Sequence, residues 1–329
     1  MPDTIVANSR IHRQSRWKRC RYRLEWASVL LLIRFISLMP YRATRGMGHA
    51  IGWLGYWLLH QPRRVALANL NLAFGDTKTI REKTRIARAS FQSFGAAILG
   101  LFWSRRLTPE AANRIVDVPD SSLDLFHGSQ ARGKGVIFIM MHYGDWELLG
   151  LTMGFHRIPL TILAKHMRNA ALEGILTRLR SRSGHSVVSG RHAMIKILRT
   201  LKRGGSVALL IDQHVGQRRG GIWCNFFGLP VLTFSTVGRL ALISGAAIVG
   251  AVAYPLPDGR TRVVYGPEIP CQRTGNDDTD IQAASQQCLQ FCESVIRDQP
   301  EHWLWSYKRW KVRPGPEPGR YPAYSRPSA

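Results

Sequence analysis

Residues 135–150 read GVIFIMMHYGDWELLG. Val136 to Met140 is an unbroken apolar run, the pattern of a strand buried on both faces. Gly144 permits a tight turn. Asp145 suits an N-cap, which sets Glu147 in the first turn of a helix over 147–155. A strand that turns straight into a helix is the first half of a β-α-β unit. In open α/β sheets the sites lie beyond the carboxyl ends of the strands, where His142 falls.

Working outward, the same kind of run recurs as LTILA (160–164), SVVSG (186–190), SVALLID (206–212), AAIVGAVAY (246–254) and TRVVYG (261–266). Helical spacing fills the gaps at 169–183, 191–203 and 235–244, and again at 279–298. This alternation predicts an α/β fold with a mixed or mainly parallel sheet flanked by helices. Residues 62–112 carry apolar side chains at three- and four-residue spacing, with Arg and Lys on the other face. The expected organisation is a basic and apolar N-terminal segment (1–60), an α/β domain (61–313) and a Pro- and Gly-rich tail (314–329) expected to be disordered. There is no internal repeat. Neither GxGxxG nor GxxxxGK[ST] occurs, so no nucleotide cofactor is expected.

The 329 residues are 45% hydrophobic, which excludes a disordered chain, and the mean hydropathy of −0.12 excludes a polytopic membrane protein. Lys and Arg number 46 against 21 Asp and Glu, so the formal net charge is 46 − 21 = +25. Partners are therefore expected to be anionic. Five cysteines without a CxxC pair argue against a disulfide framework or a zinc site, and Cys288 and Cys292 fit two small side chains on one helix face.

Residues 10–23, RIHRQSRWKRCRYR, contain no acid and run into WASVLLLIRFISLMP (26–40), interrupted by Arg34. After a polar break comes IGWLGYWLLH (51–60). Neither run alone has the roughly 20 residues that span a hydrocarbon core. The segment suits an interfacial helix with Trp17, Tyr22 and Trp26 at headgroup depth, or a single insertion with Arg34 snorkelling. The positive-inside rule leaves this end in the cytoplasm. A cleaved leader has the right order of segments, but no small-x-small site closely follows Met39. Nucleic-acid binding is disfavoured, because the basic run passes straight into apolar sequence.

His142 with a nearby carboxylate is a general-base arrangement: the ring takes a proton while the carboxylate fixes its tautomer. His142 and Glu147 are five apart, about 140° around a continuous helix, so they meet only if the chain turns between them. Asp145 is the rival partner. HExxH does not occur here, and a solitary structural His at a strand end is the bland alternative.

HYGDWE (142–147) resembles the H-x4-D/E signature of bacterial glycerolipid and lipid A acyltransferases. Residues 207–251 resemble the Asp-Gln, Phe-Phe-Gly-x-Pro and Gly-x-Ala segments of the late lipid A acyltransferases. PEHWLWSYKRWK (300–311) is similar to their C-terminal pattern. The resemblance runs over about residues 20–311 in the same order. His214 stands where that family often has a second Asp.

The resemblance implies acyl transfer from acyl carrier protein, or less often acyl-CoA, to a hydroxyl of a lipid A precursor at the cytoplasmic face of the inner membrane. It makes His142 the base and Glu147 the group that orients it. Arg180, then Arg182, are the candidate oxyanion cations. Lys165, Arg168, Arg218 and Arg219 are candidates for acceptor phosphates, and Asp212 and Gln213 end a buried strand where they would line the site. Phe226, Phe227, Leu229 and the helix at 235–244 are candidates for an acyl groove. Trp303, Trp305 and Trp310 suit packing on the body, with Lys308, Arg309 and Lys311 outward. The rivals are an acyl-CoA-dependent enzyme acting on another glycolipid, such as a phosphatidylinositol mannoside, and a non-enzymatic basic protein.

Overall fold

The computed structural model describes residues 16–164, 167, 169–190, 192–317 and 319–328. The chain enters through five helices: α1 (Arg16–Ile36), α2 (Tyr41–Leu58), α3 (His60–Phe74), α4 (Ile80–Trp103) and α5 (Pro109–Ile115). α4 begins where the sequence supplies a capping box. The Thr79 hydroxyl accepts from the Glu82 amide, and the Glu82 carboxylate accepts from the Thr79 amide at 2.7 Å. α2 crosses α4 through glycines. A Cβ on Gly52 would stand 2.2 Å from the Phe91 carbonyl oxygen, and one on Gly95 would stand 2.3 Å from that of Gly48. Among the described residues no helix is long and apolar enough to cross a membrane.

The remainder alternates strand and helix. In order come β1 (Val116–Asp117), α6 (Asp120–Ala131), β2 (Val136–Met140), α7 (Trp146–Phe155), β3 (Leu160–Leu163), α8 (Ala170–Arg180) and β4 (Ser186–Val188). Then follow α9 (Ala193–Lys202), β5 (Ser206–Leu210), β6 (Gly221–Phe226), β7 (Leu229–Phe234) and α10 (Thr236–Ser244). The last elements are β8 (Ala247–Pro255), β9 (Thr261–Ile269), α11 (Asp277–Asp298), β10 (Val312–Arg313) and β11 (Arg326–Pro327).

Seven strands form one sheet in the order β1-β9-β8-β2-β5-β3-β4. It is mainly parallel, as the apolar runs imply; β9 turns antiparallel to β8, and β1 pairs parallel with β9. β2 is central and buried on both faces. Ile137, Ile139 and Met141 pack with α9, α10 and α11, while Val136, Phe138 and Met140 pack with α6 and α7. The period of two sends alternate residues to opposite faces, so a run apolar throughout is what both cores require.

The antiparallel hairpin β6–β7 was not evident from apolar runs. Its turn is Phe227-Gly228, both at positive φ, the backbone a two-residue hairpin requires. Phe226 and Phe227 are buried against Trp303, Trp305 and Trp310, so they belong to the core and are not free to line an acyl groove. Arg309, expected to face outward, is fully buried. It lies over the Phe226 ring and donates to the Leu232 carbonyl at 2.7 Å, and burial pulls its guanidinium down to about 10. The tail, expected to be disordered, lies along the body. Tyr321 donates to the Pro230 carbonyl at 2.8 Å, the Tyr324 hydroxyl donates to Asn69, and β11 pairs with β10. Its tyrosines bring a ring and a hydroxyl each, an anchorage that Pro and Gly content does not report.

The glycine crossing makes a direct demand on stability. Gly52→Val has no room to relax against backbone and is expected to cost about 3 kcal/mol. A thermal melt, with protease sensitivity of the α2 region, reads this; an unchanged melt and digest would refute the close packing.

Candidate active site

β2 and β5 run parallel with Met140 opposite Leu210, and the Ile211 amide donates to the Met140 carbonyl at 3.1 Å. Two residues further along both chains, His142 and Asp212 stand side by side. His142 Nδ1 lies 2.9 Å from Asp212 Oδ1, and its backbone amide donates to Asp212 Oδ2 at 3.0 Å. Trp303 Nε1 donates to the same Oδ2 at 2.9 Å. An ionised carboxylate only accepts, so Nδ1 carries the ring proton and Nε2 keeps a lone pair. Nε2 faces the Gln213 side-chain amide at 3.5 Å.

The electrostatics follow from these contacts. Burial pushes the His142 ring down, but the Asp212 carboxylate outweighs it, and the ring titrates above its ordinary value. Burial pushes Asp212 up, yet the His142 ring, its amide and Trp303 hold the carboxyl below its usual range. His142 is 17% exposed and Asp212 only 3%. The imidazole is thus reachable from outside while its partner is sealed in.

The turn after His142 is braced by the C-terminal segment. Gly144 sits at φ +52°, and a Cβ there would lie 2.1 Å from the Ala253 carbonyl oxygen. Its amide donates to the His302 carbonyl at 3.0 Å, and the Leu304 amide donates to the His142 carbonyl at 3.1 Å. The Trp146 ring lies 5.3 Å from the imidazole.

Neither carboxylate of the turn touches His142. Glu147, in the first turn of α7, is gripped bidentately by Arg180 from the last turn of α8, with Nε to Oε2 at 2.9 Å and Nη2 to Oε1 at 2.5 Å. Both still act on the ring through space, Glu147 raising its affinity for a proton and Arg180 lowering it. Asp145 pairs with Arg45 of α2 and accepts from the Tyr41 hydroxyl at 3.3 Å. It occupies the N-cap position of α7 without making a side-chain cap. Its carboxylate is spent tying α2 to the turn, a link with no local sequence signal because Arg45 is one of many basic residues.

Of the other candidates, Gln213 lies at the site. Arg182 is exposed in the turn after α8, and Arg218 and Arg219 are exposed in the turn Gln217–Arg219, away from any contact with His142 recorded in the structure. Lys165 and Arg168 lie outside the described residues. Among the described residues no group of three or more His, Cys, Asp or Glu is placed to hold a metal ion. A neutral imidazole aimed outward, a buried carboxylate behind it and a guanidinium nearby can remove a proton from a hydroxyl and offset charge on an oxygen.

Residues 10–312 match the family of bacterial lipid A biosynthesis acyltransferases. The chain is 28% identical over 306 residues to a lipid A biosynthesis palmitoleoyltransferase of Escherichia coli K12, covering 92% of this chain and 95% of that protein. It is 24% identical over 307 residues to a lipid A biosynthesis lauroyltransferase of the same organism, with the same two coverages. A phosphatidylinositol mannoside acyltransferase of Mycobacterium tuberculosis is 22% identical over 225 residues, 68% of this chain and 69% of that one.

Two substitutions separate the roles of the acids. A base must be neutral, so turnover is expected to fall as pH drops through an inflection above the ordinary value of 6.5. In Asp212→Asn, burial acts without the opposing carboxylate, so the inflection should move down and kcat should fall about 10²–10⁴-fold. A pH–rate profile with an unmoved inflection would contradict the pairing. Glu147→Gln is expected to lower kcat about tenfold or more with KM little changed, because it leaves Arg180 without its counter-charge. Its inflection should shift less than that of Asp212→Asn; wild-type kcat would remove Glu147 from the mechanism.

Proposed function

Because the chain belongs to the bacterial lipid A biosynthesis acyltransferases, and is an enzyme of the acyltransferase class, we propose that it moves a fatty acyl chain from the thioester of acyl carrier protein to a hydroxyl of a lipid A precursor. The observation that carries this reading is the commitment of His142 Nδ1 to Asp212, which leaves the lone pair on Nε2, where the only recorded neighbour among the described residues is the Gln213 amide at 3.5 Å. The acceptor O–H gives its proton to Nε2 as its oxygen attacks the thioester carbonyl. Asp212 stabilises the imidazolium that results. Arg180, held in place by Glu147, and the Gln213 amide offset the charge on the tetrahedral oxygen. The intermediate collapses to the new ester and expels the thiolate, which takes the proton back from Nε2. No acyl-enzyme forms on this route.

The reading places the protein on the cytoplasmic face of the inner membrane. α1 and α2 supply the contact: Trp17, Leu31, Phe35 and Leu38 are exposed on and just beyond the first, and Trp53, Trp57 and Leu58 on the second. Arg21, Arg23 and Arg42 stand among them. Apolar side chains at the acyl boundary with guanidinium groups on lipid phosphates are the pattern of an interfacial helix. The overall charge of +25 suits an anionic surface, a phosphorylated acceptor and an acidic carrier.

The test is acyl transfer to a radiolabelled tetraacylated lipid A precursor by membranes containing wild type or His142→Ala. Acyl carrier protein loaded with C12, C14 or C16 chains is the donor. A more acylated product from wild type alone, with at least a 10²-fold loss in the variant, is expected. Equal product from both proteins would sink the His142 mechanism. Product only from acyl-CoA, on a phosphatidylinositol mannoside acceptor, would move the function to the other glycolipid.

A further inference from the structure

A groove of about 390 Å³ lies between α9 and α10. Leu198 and Leu240 line it, with Met194 and Ile195 on one wall and Ile243 on the other. Met194, Ile195 and Ile243 are 40%, 50% and 61% exposed. Arg219 and Arg239 are the charged residues that line it.

One end of the groove lies at the carboxyl edge of the sheet. α9 starts after the carboxyl end of β4, so Met194 and Ile195 lie near that edge. Arg219 is reached from Asp212 and Gln213 along a single loop. The charge around it has one sign. Between Glu173 and Asp212 every Asp, Glu, Lys or Arg in the sequence is Lys or Arg. On α9 and just past its end, Lys196, Arg199, Lys202 and Arg203 are all exposed. Asp277 and Asp278 lie in an adjoining hollow that shares Arg239 and Ile243, and they bound the cationic surface on that side.

We infer that this groove is the docking surface for the acidic protein that carries the acyl thioester. One amphipathic helix of the carrier puts its apolar side chains into the slot and its carboxylates on Arg239, Arg199 and Lys196. A bilayer meets convex faces such as those of α1 and α2; a concave slot a few side chains deep takes a helix ridge instead. Opposite charge steers the encounter and sets the register, while the apolar anchors hold it. The docked carrier lies toward the edge that bears His142, from which a flexible arm brings the thioester to Nε2. The inference rests on the acyl-transfer reading above.

Donor choice separates docking from chemistry. Ile195→Asp/Arg239→Glu is compared with wild type using lauroyl-loaded acyl carrier protein and lauroyl-CoA, which share the chain and the thioester. The KM for the protein-borne donor is expected to rise at least tenfold while transfer from lauroyl-CoA is unchanged. Binding of fluorescently labelled acyl carrier protein should weaken in parallel and fall with salt. Ile195→Ala/Arg239→Ala gives the same comparison with a smaller effect should the first variant fold poorly. Equal losses with both donors, or loss with neither, would overturn the inference. So would loss of binding to anionic vesicles with carrier binding intact, which would assign the groove to lipid. If wild type transfers from neither donor, the acyl-transfer reading fails, and the carrier-binding comparison still decides the groove.

Discussion

The parallel register of β2 against β5 is the constraint on which the site depends. It sets two side chains 70 residues apart at the same height beyond the sheet, so a histidine ring and a carboxylate share a proton's position. A slip of one residue in either strand would turn one of them to the opposite face. The register is in turn secured by the burial of β2 on both faces, where alternate residues belong to different cores. Thus a strand apolar throughout delivers a polar residue, His142, to a defined point beyond its end.

Around that point the turn 142–147 is braced from several sides. Trp303 holds Asp212 from behind, Arg45 of α2 holds Asp145, and Arg180 of α8 holds Glu147. Buried or partly buried ion pairs of this kind contribute little net stability, because desolvation offsets the attraction. Their effect is geometric: each fixes where one residue of a short turn lies. The Arg45 pair also joins this turn to α2, which carries exposed aromatic side chains on another face.

Much of this was legible in the sequence, for identifiable reasons. The strand runs were readable because residues buried on both faces are apolar throughout, and His142 was readable because it follows one of them directly. The partner was harder. Local spacing offered Asp145 and Glu147, whereas the contact is with Asp212, whose proximity depends on a pairing that no short window contains. The sequence puts Asp212 at a strand end where it would line the site, but not as the partner of His142. Arg309 was misjudged because charge ordinarily means exposure, and here a tryptophan and phenylalanine cluster closes over it. The tail was misjudged because Pro and Gly content outweighed its two anchoring tyrosines. The hairpin β6–β7 hid because its turn is Phe-Gly, and a phenylalanine at positive φ is rare.

Asp212, not Glu147, is the carboxylate that fixes the tautomer of His142. Nitrogen-15 NMR of the labelled His142 ring tests this without any substrate. The neutral ring is expected to be protonated at Nδ1 and to titrate above an ordinary histidine, and to lose both properties in Asp212→Asn but not in Glu147→Gln. A ring protonated at Nε2, or one indifferent to Asp212 and reset by Glu147, would contradict the pairing.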